Sequence, residues 1–428
     1  RGCTEKVYRG LCSERRSLVT YRILSDQIMI LRIISTAGSV IMADGGLSEV
    51  EQQRPSRITV LRKTLSDIAA NPLDCPRGLI GQHYVDEEYF AYEKATVLQA
   101  GWHCVGRVDE LPEKGDYRTL KLFDELIILV NSGDGIKALS NLCRHRGMPL
   151  AQGCGNARMF VCPYHAWSYK ISGDLIRAPR MENKSFNPET CSLPKFPCVE
   201  KFGFVYVSLS DTPTNLVEDL KGLTEKLHSY NPSFYRLVHT ADEVWNTNWK
   251  CLVENFMEGY HLSVVHPKTL HGYTPTELSK KGPSGLGFTS YTAHYPDHIS
   301  SRGRGSDKLS ESERHASFLF AAFPCQVVSI APPLLVSLSL LPRSSSRVDV
   351  RWTMSVYGEE LDAQTIDARI ALWTEVNRED REKLELMQEA LGSRYANGGP
   401  LAGPDYEGTV RDFVVWLASR DKEIQQKN

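Results

Sequence analysis

Apolar and polar positions alternate with different periods in different parts of the chain. Across residues 56–100 the apolar positions recur every three to four residues, as in "SRITVLRKTLSDIA", which predicts amphipathic helices. From Trp102 to about Ser210 short alternating runs such as "TLKLF", "LIILV" and "FGFVYVSL" lie between turn sequences such as "NSGDG". Alternation between turns is typical of antiparallel strands, so we predict an antiparallel β domain here.

The second half of the chain carries both patterns. Residues 245–267 are helical by composition, and this helix is expected to end at Pro267, because the residue before a proline resists helical geometry. A Gly/Ser-rich stretch at 282–312 is expected to form a long loop. The apolar runs "SFLFAAFPCQVVSIAPPLLVSLSLLP" and "RVDVRWTMSVYG" predict long strands, and residues 362–391 carry the clearest amphipathic helix of the chain.

These elements predict an α+β protein. A length of 428 residues is too great for one ordinary core and suggests two domains. We expect a disordered N-terminal extension (1–55), a helical segment packed on the second domain (56–100), an antiparallel β domain (101–211), and a second domain with a curved antiparallel sheet flanked by helices (212–428). Within the extension, residues 1–41 are interpreted as upstream translation, with a cleaved targeting segment as the alternative.

Composition narrows the class of function. The formal net charge is -2 and no long basic stripe is present, which argues against nucleic acid as a partner. The apolar run near residue 30 is too short and too charged to span a membrane. The eleven cysteines are scattered through a long chain, unlike a disulfide framework. We therefore expect a cytoplasmic protein with a few thiolates reserved for metal.

Two short clusters of metal-binding side chains lie inside the β domain. Cys143 and His145 are followed after sixteen residues by Cys162 and His165. A structural zinc site is the first alternative, but zinc fingers of the Cys₂His₂ type pair like with like, and a domain of this size needs no metal to fold. A [2Fe–2S] cluster with two Cys on one iron and two His on the other takes one of each from each loop.

The pattern C-x-H-x16-C-x-x-H, with "CRHRG" and "CPYHAWSY" as they stand here, is similar to the Rieske iron–sulfur signature. Over nearly everything after residue 60, the chain resembles the catalytic (alpha, large) subunit of the Rieske non-haem iron oxygenases, a family of aromatic ring-hydroxylating and quaternary-ammonium oxygenases. The resemblance implies that Cys143 and Cys162 bind one iron of the cluster, and that His145 and His165 bind the other.

A second set of candidate ligands lies in the other domain. His261 and His266 are five residues apart, about 140° around a regular helix, so joint ligation requires a break, for which Pro267 is a candidate. Two histidines in an apolar helix are, by themselves, better explained as core residues. Asp380 changes this balance, because it lies within an apolar stripe of the C-terminal helix made up of Ile366, Ile370, Trp373, Asn377, Asp380, Leu384, Met387 and Leu391.

A buried carboxylate without a cation is costly, and no Lys or Arg shares the stripe with Asp380, since Arg381 and Lys383 point elsewhere. Two His and one carboxylate with open positions suit a non-haem Fe(II) site that activates oxygen. The resemblance places the mononuclear iron ligands at His261, His266 and Asp380.

Glu258 lies three residues before His261, on the same helix face. It is either a solvated surface glutamate or a residue of the site. The resemblance implies that its carboxylate bridges His261 to His165 of a neighbouring subunit. The glutamate in "ENFMEGYH" resembles the branch acting on quaternary ammonium compounds such as carnitine and betaines, although Gly259 and Leu262 stand where that branch often has cysteines.

The resemblance implies the oxygenase component of a two-component system. It would take electrons from NAD(P)H through a separate flavin or iron–sulfur reductase, use O₂ to hydroxylate a small organic substrate, and assemble as a homotrimer. Hydroxylation of an N-methyl group would lead to N-demethylation. Hydroxylation or dioxygenation of an aromatic acid is an alternative that a positively charged pocket residue would favour. An iron–sulfur electron carrier is another, with two irons per chain instead of three.

Overall fold

The computed structural model describes residues 55–182, 185–300, 303–359 and 361–427. The described residues belong to one compact unit, Pro55–Asn428. The predicted N-terminal extension therefore lies outside the described residues, except for Pro55. In the part of the chain that is described, no helix has the length and apolar character needed to cross a membrane.

Short helices open the described chain, as the periodicity of residues 56–100 predicts. The Ser56 side chain accepts a hydrogen bond from the backbone N–H of Thr59 and so caps the first helix. This helix packs along the last helix of the chain, where Arg62 Nε lies 2.8 Å from Asp421 Oδ1. The elements are α1 (Arg57–Ala69), α2 (Gln82–Val85), α3 (Glu87–Glu93) and a π-helical turn (Lys94–Leu98).

The predicted antiparallel β domain is confirmed. Its strands form three sheets, with the orders β5-β2-β3-β4-β9, β6-β7-β8 and β1-β11-β10, and every pair is antiparallel. The strands are β1 (Trp102–Arg107), β2 (Asp116–Leu122), β3 (Glu125–Asn131), β4 (Ile136–Ser140), β5 (Cys154–Asn156), β6 (Met159–Val161), β7 (Ser168–Lys170), β8 (Leu175–Arg177), β9 (Lys195–Phe196), β10 (Cys198–Lys201) and β11 (Phe204–Ser208).

The second domain is built on one antiparallel sheet of seven strands in the order β12-β18-β17-β16-β15-β14-β13. The predicted apolar strands are present, and the first apolar run folds into three of them. The strands are β12 (Tyr235–Trp245), β13 (Ser279–Lys281), β14 (Phe288–His294), β15 (Ala316–Ala322), β16 (Gln326–Ala331), β17 (Leu334–Ser344) and β18 (Arg347–Tyr357).

The expected long loop at 282–312 is wrong in part, because it contains β14, a mostly buried strand of this sheet. The loop was predicted from the Gly- and Ser-rich sequences "GPSGLGF" and "SSRGRGSDK", whereas the strand "FTSYTAH" between them is rich in hydroxyl groups. These hydroxyls are bonded internally: Thr289 Oγ1 donates to Asp412 Oδ2 over 2.8 Å, and Ser290 Oγ donates to the carbonyl of Pro283 over 2.5 Å. Buried hydroxyls are tolerated when they are paired in this way.

Helices cover both faces of the seven-stranded sheet. Leu319, Val336 and Trp352 on one face share a core with the longer helices, whereas Phe318 and Ile330 on the other face pack against two short helices. The predicted sheet flanked by helices is thus confirmed. The helices of this domain are α4 (Leu216–Asp219), α5 (Lys221–Leu227), α6 (Trp249–Phe256), α7 (Leu262–Val265), α8 (Glu311–Arg314), α9 (Ala363–Leu391) and α10 (Pro404–Lys427).

The single helix predicted over 245–267 is wrong. Trp245 is the last residue of β12, and α6 begins only after Asn248, whose side chain accepts a hydrogen bond from the backbone N–H of Lys250. The helix ends at Phe256, and a separate short helix, α7, lies between His261 and His266. The interruption matters for the site described next.

Candidate metal centres

The first candidate centre lies on two loops of the β domain that share one local geometry. The backbone N–H of Gly147 donates to the carbonyl of Cys143 over 2.9 Å, and that of Ala166 donates to the carbonyl of Cys162 over 3.0 Å. Gly147 and Ala166 both have positive φ, so each loop turns sharply four residues after its cysteine. The two loops therefore have the same backbone turn at the same distance from their cysteines.

The four predicted side chains come together on these loops. The thiols of Cys143 and Cys162 are buried, whereas the imidazoles of His145 and His165 are exposed, with their Nδ1 atoms 3.2 Å apart. Burial raises the pKa of Cys143, although the hydrogen bond with Tyr169, over 3.3 Å, acts to lower it. Two inner sulfurs and two outer ring nitrogens, one of each from each loop, fit a [2Fe–2S] cluster of the mixed type better than a single tetrahedral ion.

Aromatic side chains hold this arrangement in place. The Trp167 ring stacks on the His145 ring at 5.1 Å with an interplanar angle of 8°. The hydroxyl of Tyr169 also accepts a hydrogen bond from the backbone N–H of Arg144 over 3.0 Å. Both aromatic residues are buried, so they fix the loops from the domain core. Sequence spacing did not reveal Tyr169, although the motif "CPYHAWSY" contains both aromatics.

Cys143→Ser is expected to abolish or strongly alter the visible absorption and the EPR signal of the cluster, because a serine oxygen is a poorer ligand for this iron than a thiolate. Cys154→Ser in the exposed strand β5 is the matched control and should leave both spectra unchanged. Purified protein that contains stoichiometric zinc and no acid-labile sulfide would contradict the assignment.

The second candidate centre lies at the short helix α7, which follows the end of α6. His261 immediately precedes α7 and His266 immediately follows it, and the backbone leaves helical geometry at His266, with φ −114° and ψ 49°. One donor atom each from His261, His266 and Asp380 lie within 4.8 Å of one another. The Asp380 Oδ1 atom is 3.1 Å from His266 Nε2 and 3.6 Å from His261 Nε2. The predicted break therefore exists, but it lies before His261, not only at Pro267.

The far nitrogen of each imidazole is held by a glutamate. His261 Nδ1 lies 2.5 Å from Glu258 Oε1, and His266 Nδ1 lies 2.8 Å from Glu379 Oε2. A carboxylate on one ring nitrogen fixes the tautomer and leaves the other nitrogen free as a ligand. Both Nε2 atoms accordingly face Asp380. This arrangement fits two His and one carboxylate around a single cation.

Three residues that sequence reasoning did not find support this centre. Glu379 also accepts a hydrogen bond from Thr269 Oγ1 over 2.6 Å, and Asn255 Nδ2 lies 3.3 Å from Asp380 Oδ1. The adjacent acids Glu379 and Asp380 in "REDREK" were the available signal. Neighbouring helix positions point in directions about 100° apart, so one helix turn can reach two different sides of the same site.

The burial of Asp380 agrees with its place on the predicted stripe. Asn377, Asp380 and Leu384 are buried, but Met387 is exposed and Gln388 is buried in its place. Arg381 forms a salt bridge with a different acid, with its Nη1 atom 3.2 Å from Glu243 Oε2. Among the described residues, no Lys or Arg forms a salt bridge with Asp380. Burial lowers the pKa of His261, but Glu258 and Asp380 more than offset this effect, so its pKa is raised. The pocket thus concentrates negative charge and suits a cation.

Glu258 lies beside His261, as predicted, and its side chain is only 13% exposed, which is unlike a solvated glutamate. Its Oε2 atom accepts hydrogen bonds from the backbone N–H groups of Tyr260 and, over 3.1 Å, of His261. Its Oε1 atom retains a free lone pair beyond the bond to His261. Among the described residues, no contact joins Glu258 to His165 of the same chain.

Comparison with known proteins adds to this geometry. Residues 101–200 match the Rieske [2Fe-2S] domain, and residues 227–423 match the ring hydroxylating alpha subunit (catalytic domain). The carnitine monooxygenase oxygenase subunit of Escherichia coli K12 is 28% identical over 335 residues, which cover 74% of this chain and 84% of that protein. The glycine betaine monooxygenase oxygenase subunit of Chromohalobacter salexigens is 34% identical over 206 residues, 47% and 46% of the two chains.

A solved structure of a quaternary ammonium Rieske monooxygenase superposes with a TM-score of 0.73 and 25% identity, covering 83% of this chain and 98% of that chain. That structure was described for its insights into carnitine oxidation by gut microbiota and inter-subunit electron transfer. The superposition therefore spans more of the chain than either domain alone.

Proposed function

Because the chain belongs to the Rieske non-haem iron oxygenases, as their catalytic subunit, we propose that it hydroxylates a small quaternary ammonium compound. The observation that carries the proposal is the likeness to a carnitine monooxygenase oxygenase subunit, which covers 74% of this chain and 84% of that protein. A match to the catalytic domain across residues 227–423 rules out a simple iron–sulfur electron carrier. The chain is an oxidoreductase that requires a [2Fe–2S] cluster, mononuclear iron and electrons from a separate reductase.

The proposed ligands follow from the geometry of the two centres. Cys143 and Cys162 would bind the inner iron of the cluster, and His145 and His165 the outer one. His261, His266 and Asp380 would bind the mononuclear iron. When bound, the cluster supplies electrons and the mononuclear iron activates O₂. The carboxylates of Glu258 and Glu379 position the two imidazoles by holding their Nδ1 atoms.

The proposed reaction balances with one O₂ and one NAD(P)H. A substrate R–N(CH₃)₃⁺ with O₂, NAD(P)H and H⁺ gives R–N(CH₃)₂CH₂OH⁺, NAD(P)⁺ and water. One oxygen atom enters the C–H bond and the other leaves as water. The hydroxymethyl product then loses formaldehyde and a proton, which leaves the tertiary amine R–N(CH₃)₂. Hydroxylation at another carbon bonded to nitrogen would release the corresponding larger carbonyl compound.

A substrate panel tests the proposal. The enzyme is supplied with a surrogate reductase and NADH, and substrate-dependent NADH use is measured with carnitine, glycine betaine, choline and benzoate, together with product analysis. We expect turnover with at least one quaternary ammonium compound and none with benzoate. Hydroxylation of the aromatic acid alone would overturn the proposal in favour of ring hydroxylation.

The same proposal includes a homotrimer, the assembly typical of the family, in which electrons cross between subunits. The exposed His145 and His165 and the partly exposed Glu258 support it, because a bridge between these residues would need a second copy of the chain. Light scattering of the metal-loaded enzyme should give three chains per particle. A monomer that turns over at the full rate would contradict the assembly.

A further inference from the structure

Glu258 lies in a short loop that joins α6 to α7. This connecting loop (257–261) begins after Phe256, the last residue of α6, and leads into α7 at Leu262. The loop carries both His261 and the carboxylate that holds its Nδ1 atom. The direction of that carboxylate therefore depends on what fixes the connecting loop to the rest of the protein.

Hydroxyl groups of neighbouring elements hold the backbone of the connecting loop. Thr409 of α10 donates a hydrogen bond from its Oγ1 atom to the carbonyl of Met257, and both residues are buried. Thr276 Oγ1 donates to the carbonyl of Tyr260 over 3.3 Å. The carbonyls at the end of a helix have no partner within it, so a buried one needs a donor from outside. These two hydrogen bonds hold the loop on both sides of Glu258.

At Gly259 the backbone of the connecting loop lies against β13, the edge strand of the seven-stranded sheet. A Cβ atom built on Gly259 would lie 2.7 Å from Ser279 Cβ, closer still to its Oγ, and 3.7 Å from Tyr291 Cε2. Carbon atoms that are not bonded to each other pack best at about 3.5–4.0 Å, so position 259 has no room for a side chain. Ser279 is buried, and its Oγ has no hydrogen-bond partner among the described residues. Its contact with Gly259 is therefore one of close packing.

Strand β13 is itself held in place on the other side. Ser279 pairs with Ala293 of β14. The backbone N–H of Lys281 donates to Asp405 Oδ1 over 3.1 Å, and Asp405 belongs to α10, the helix that also carries Thr409. β13 and α10 are thus joined to each other, and each of them contacts the connecting loop. Together they form one support for this loop.

We propose that Thr409 and the contact between Gly259 and Ser279 position the Glu258 carboxylate for electron transfer between the two metal centres. This inference rests on the proposed function, because Glu258 joins two centres only in an oxygenase. The three residues are positioning residues, since they act through Glu258 and bind neither metal. Gly259, which departs from the quaternary-ammonium branch, is matched in this chain by the Ser279 side chain.

A small shift of the connecting loop should impair electron transfer before it impairs metal binding. His266 and Asp380 lie outside the loop and would still hold the iron together with His261. The proposed bridge to the neighbouring subunit depends instead on where the free end of the Glu258 carboxylate lies. Loss of such orienting contacts costs about 10- to 100-fold in activity.

The first experiment removes one hydroxyl. Thr409→Val keeps the shape of the side chain but leaves the buried carbonyl of Met257 without a donor. In a single turnover the cluster is reduced chemically, and O₂ is added with carnitine, glycine betaine or choline, whichever the wild type uses best. We expect cluster reoxidation about 10-fold slower than in the wild type, with unchanged cluster content, iron content and KM. Thr409→Ser keeps the hydroxyl and should stay within about threefold of the wild-type rate.

The second experiment exchanges the sizes of two side chains. Gly259→Ala should slow reoxidation about 10-fold with both centres intact, because the added Cβ pushes the loop away from β13. Adding Ser279→Gly to this variant removes the clashing atoms and should restore the rate to within about threefold of the wild type. Gly272→Ala is the matched control, since a Cβ at Gly272 meets no atom within 4 Å, and it should behave as the wild type.

Amide hydrogen exchange of the connecting loop, measured on the same proteins by mass spectrometry, reports on the loop independently of activity. Exchange should be faster in Thr409→Val and in Gly259→Ala than in the wild type. It should return toward the wild-type rate in Thr409→Ser and in the double variant. Unchanged exchange in the slow variants would overturn the positioning role.

The kinetic outcomes separate this inference from the proposed function. Wild-type reoxidation rates in Thr409→Val and Gly259→Ala, or a double variant as slow as Gly259→Ala, would overturn the inference alone. Loss of the mononuclear iron in place of slow transfer would also overturn it, because the loop would then serve metal binding. If the wild type itself shows no substrate-dependent reoxidation with any of the three quaternary ammonium compounds, the proposed function fails.

Discussion

Glu258→Gln is expected to retain both metal centres and the assembly, to accept electrons at the cluster, and yet to turn over about 100-fold more slowly than the wild type. The Glu258 carboxylate holds His261 Nδ1 at 2.5 Å. Carboxylates that orient a metal-bound imidazole contribute about 10- to 100-fold to metal affinity or activity. The proposed bridge to His165 of a neighbouring subunit adds a second role, so electron transfer should suffer more than metal binding.

The measurement is a single turnover in which the cluster is reduced chemically, O₂ and substrate are added, and cluster reoxidation is followed. Glu258→Asp should be partly active, because the acid survives on a shorter stem. Glu277→Gln, an exposed glutamate of the same region, serves as the control and should behave as the wild type. Reoxidation and product formation at the wild-type rate in Glu258→Gln would reduce Glu258 to a local structural residue.

Asp380→Ala is expected to lose the mononuclear iron, keep the cluster, and reduce turnover below detection. Asp380 Oδ1 is the atom that approaches both His266 Nε2 and His261 Nε2. Without it, two neutral imidazoles remain as ligands, and the negative charge that offsets the buried cation is lost. The cluster should be unaffected because its candidate ligands lie in the other domain.

Iron analysis before and after the substitution measures this loss directly. We expect three irons per chain in the wild type, two in Asp380→Ala, and the same cluster absorption in both. Glu389→Ala removes an exposed carboxylate of the same helix and should retain all three irons. Full iron occupancy with normal turnover in Asp380→Ala would show that the carboxylate is only structural.

The parts of the site that the sequence predicts are those encoded within a few residues. Each cluster loop carries its Cys and His close together, so the spacing alone predicts the set Cys143, His145, Cys162 and His165. The structure places these residues on two matching turns. Asp380 was predicted because burial of a carboxylate on an apolar helix stripe is visible in the periodicity of one helix. Local patterns of this kind are available from a single chain.

Other parts of the site depend on contacts between distant residues. Glu379 contacts His266 across 113 positions of the chain, and no local pattern reveals that contact. The break between α6 and α7 contains Gly259, but the apolar composition on both sides of it extended the predicted helix across the break. Strand β14 was missed because the Gly- and Ser-rich sequences around it predicted a loop, whereas its own Ser and Thr side chains bond within the fold. In each of these features, tertiary contacts override the local propensity of the sequence.

The central claim is that one chain couples an iron–sulfur electron carrier to oxygen chemistry at a second iron. A single turnover of the wild-type enzyme without reductase tests it most directly. The cluster is reduced, O₂ is added with or without carnitine, and both cluster reoxidation and product are quantified. We predict rapid reoxidation only with a quaternary ammonium substrate, together with a hydroxylated or dealkylated product in proportion to the electrons supplied. Reoxidation that is independent of substrate and yields no product would contradict the account.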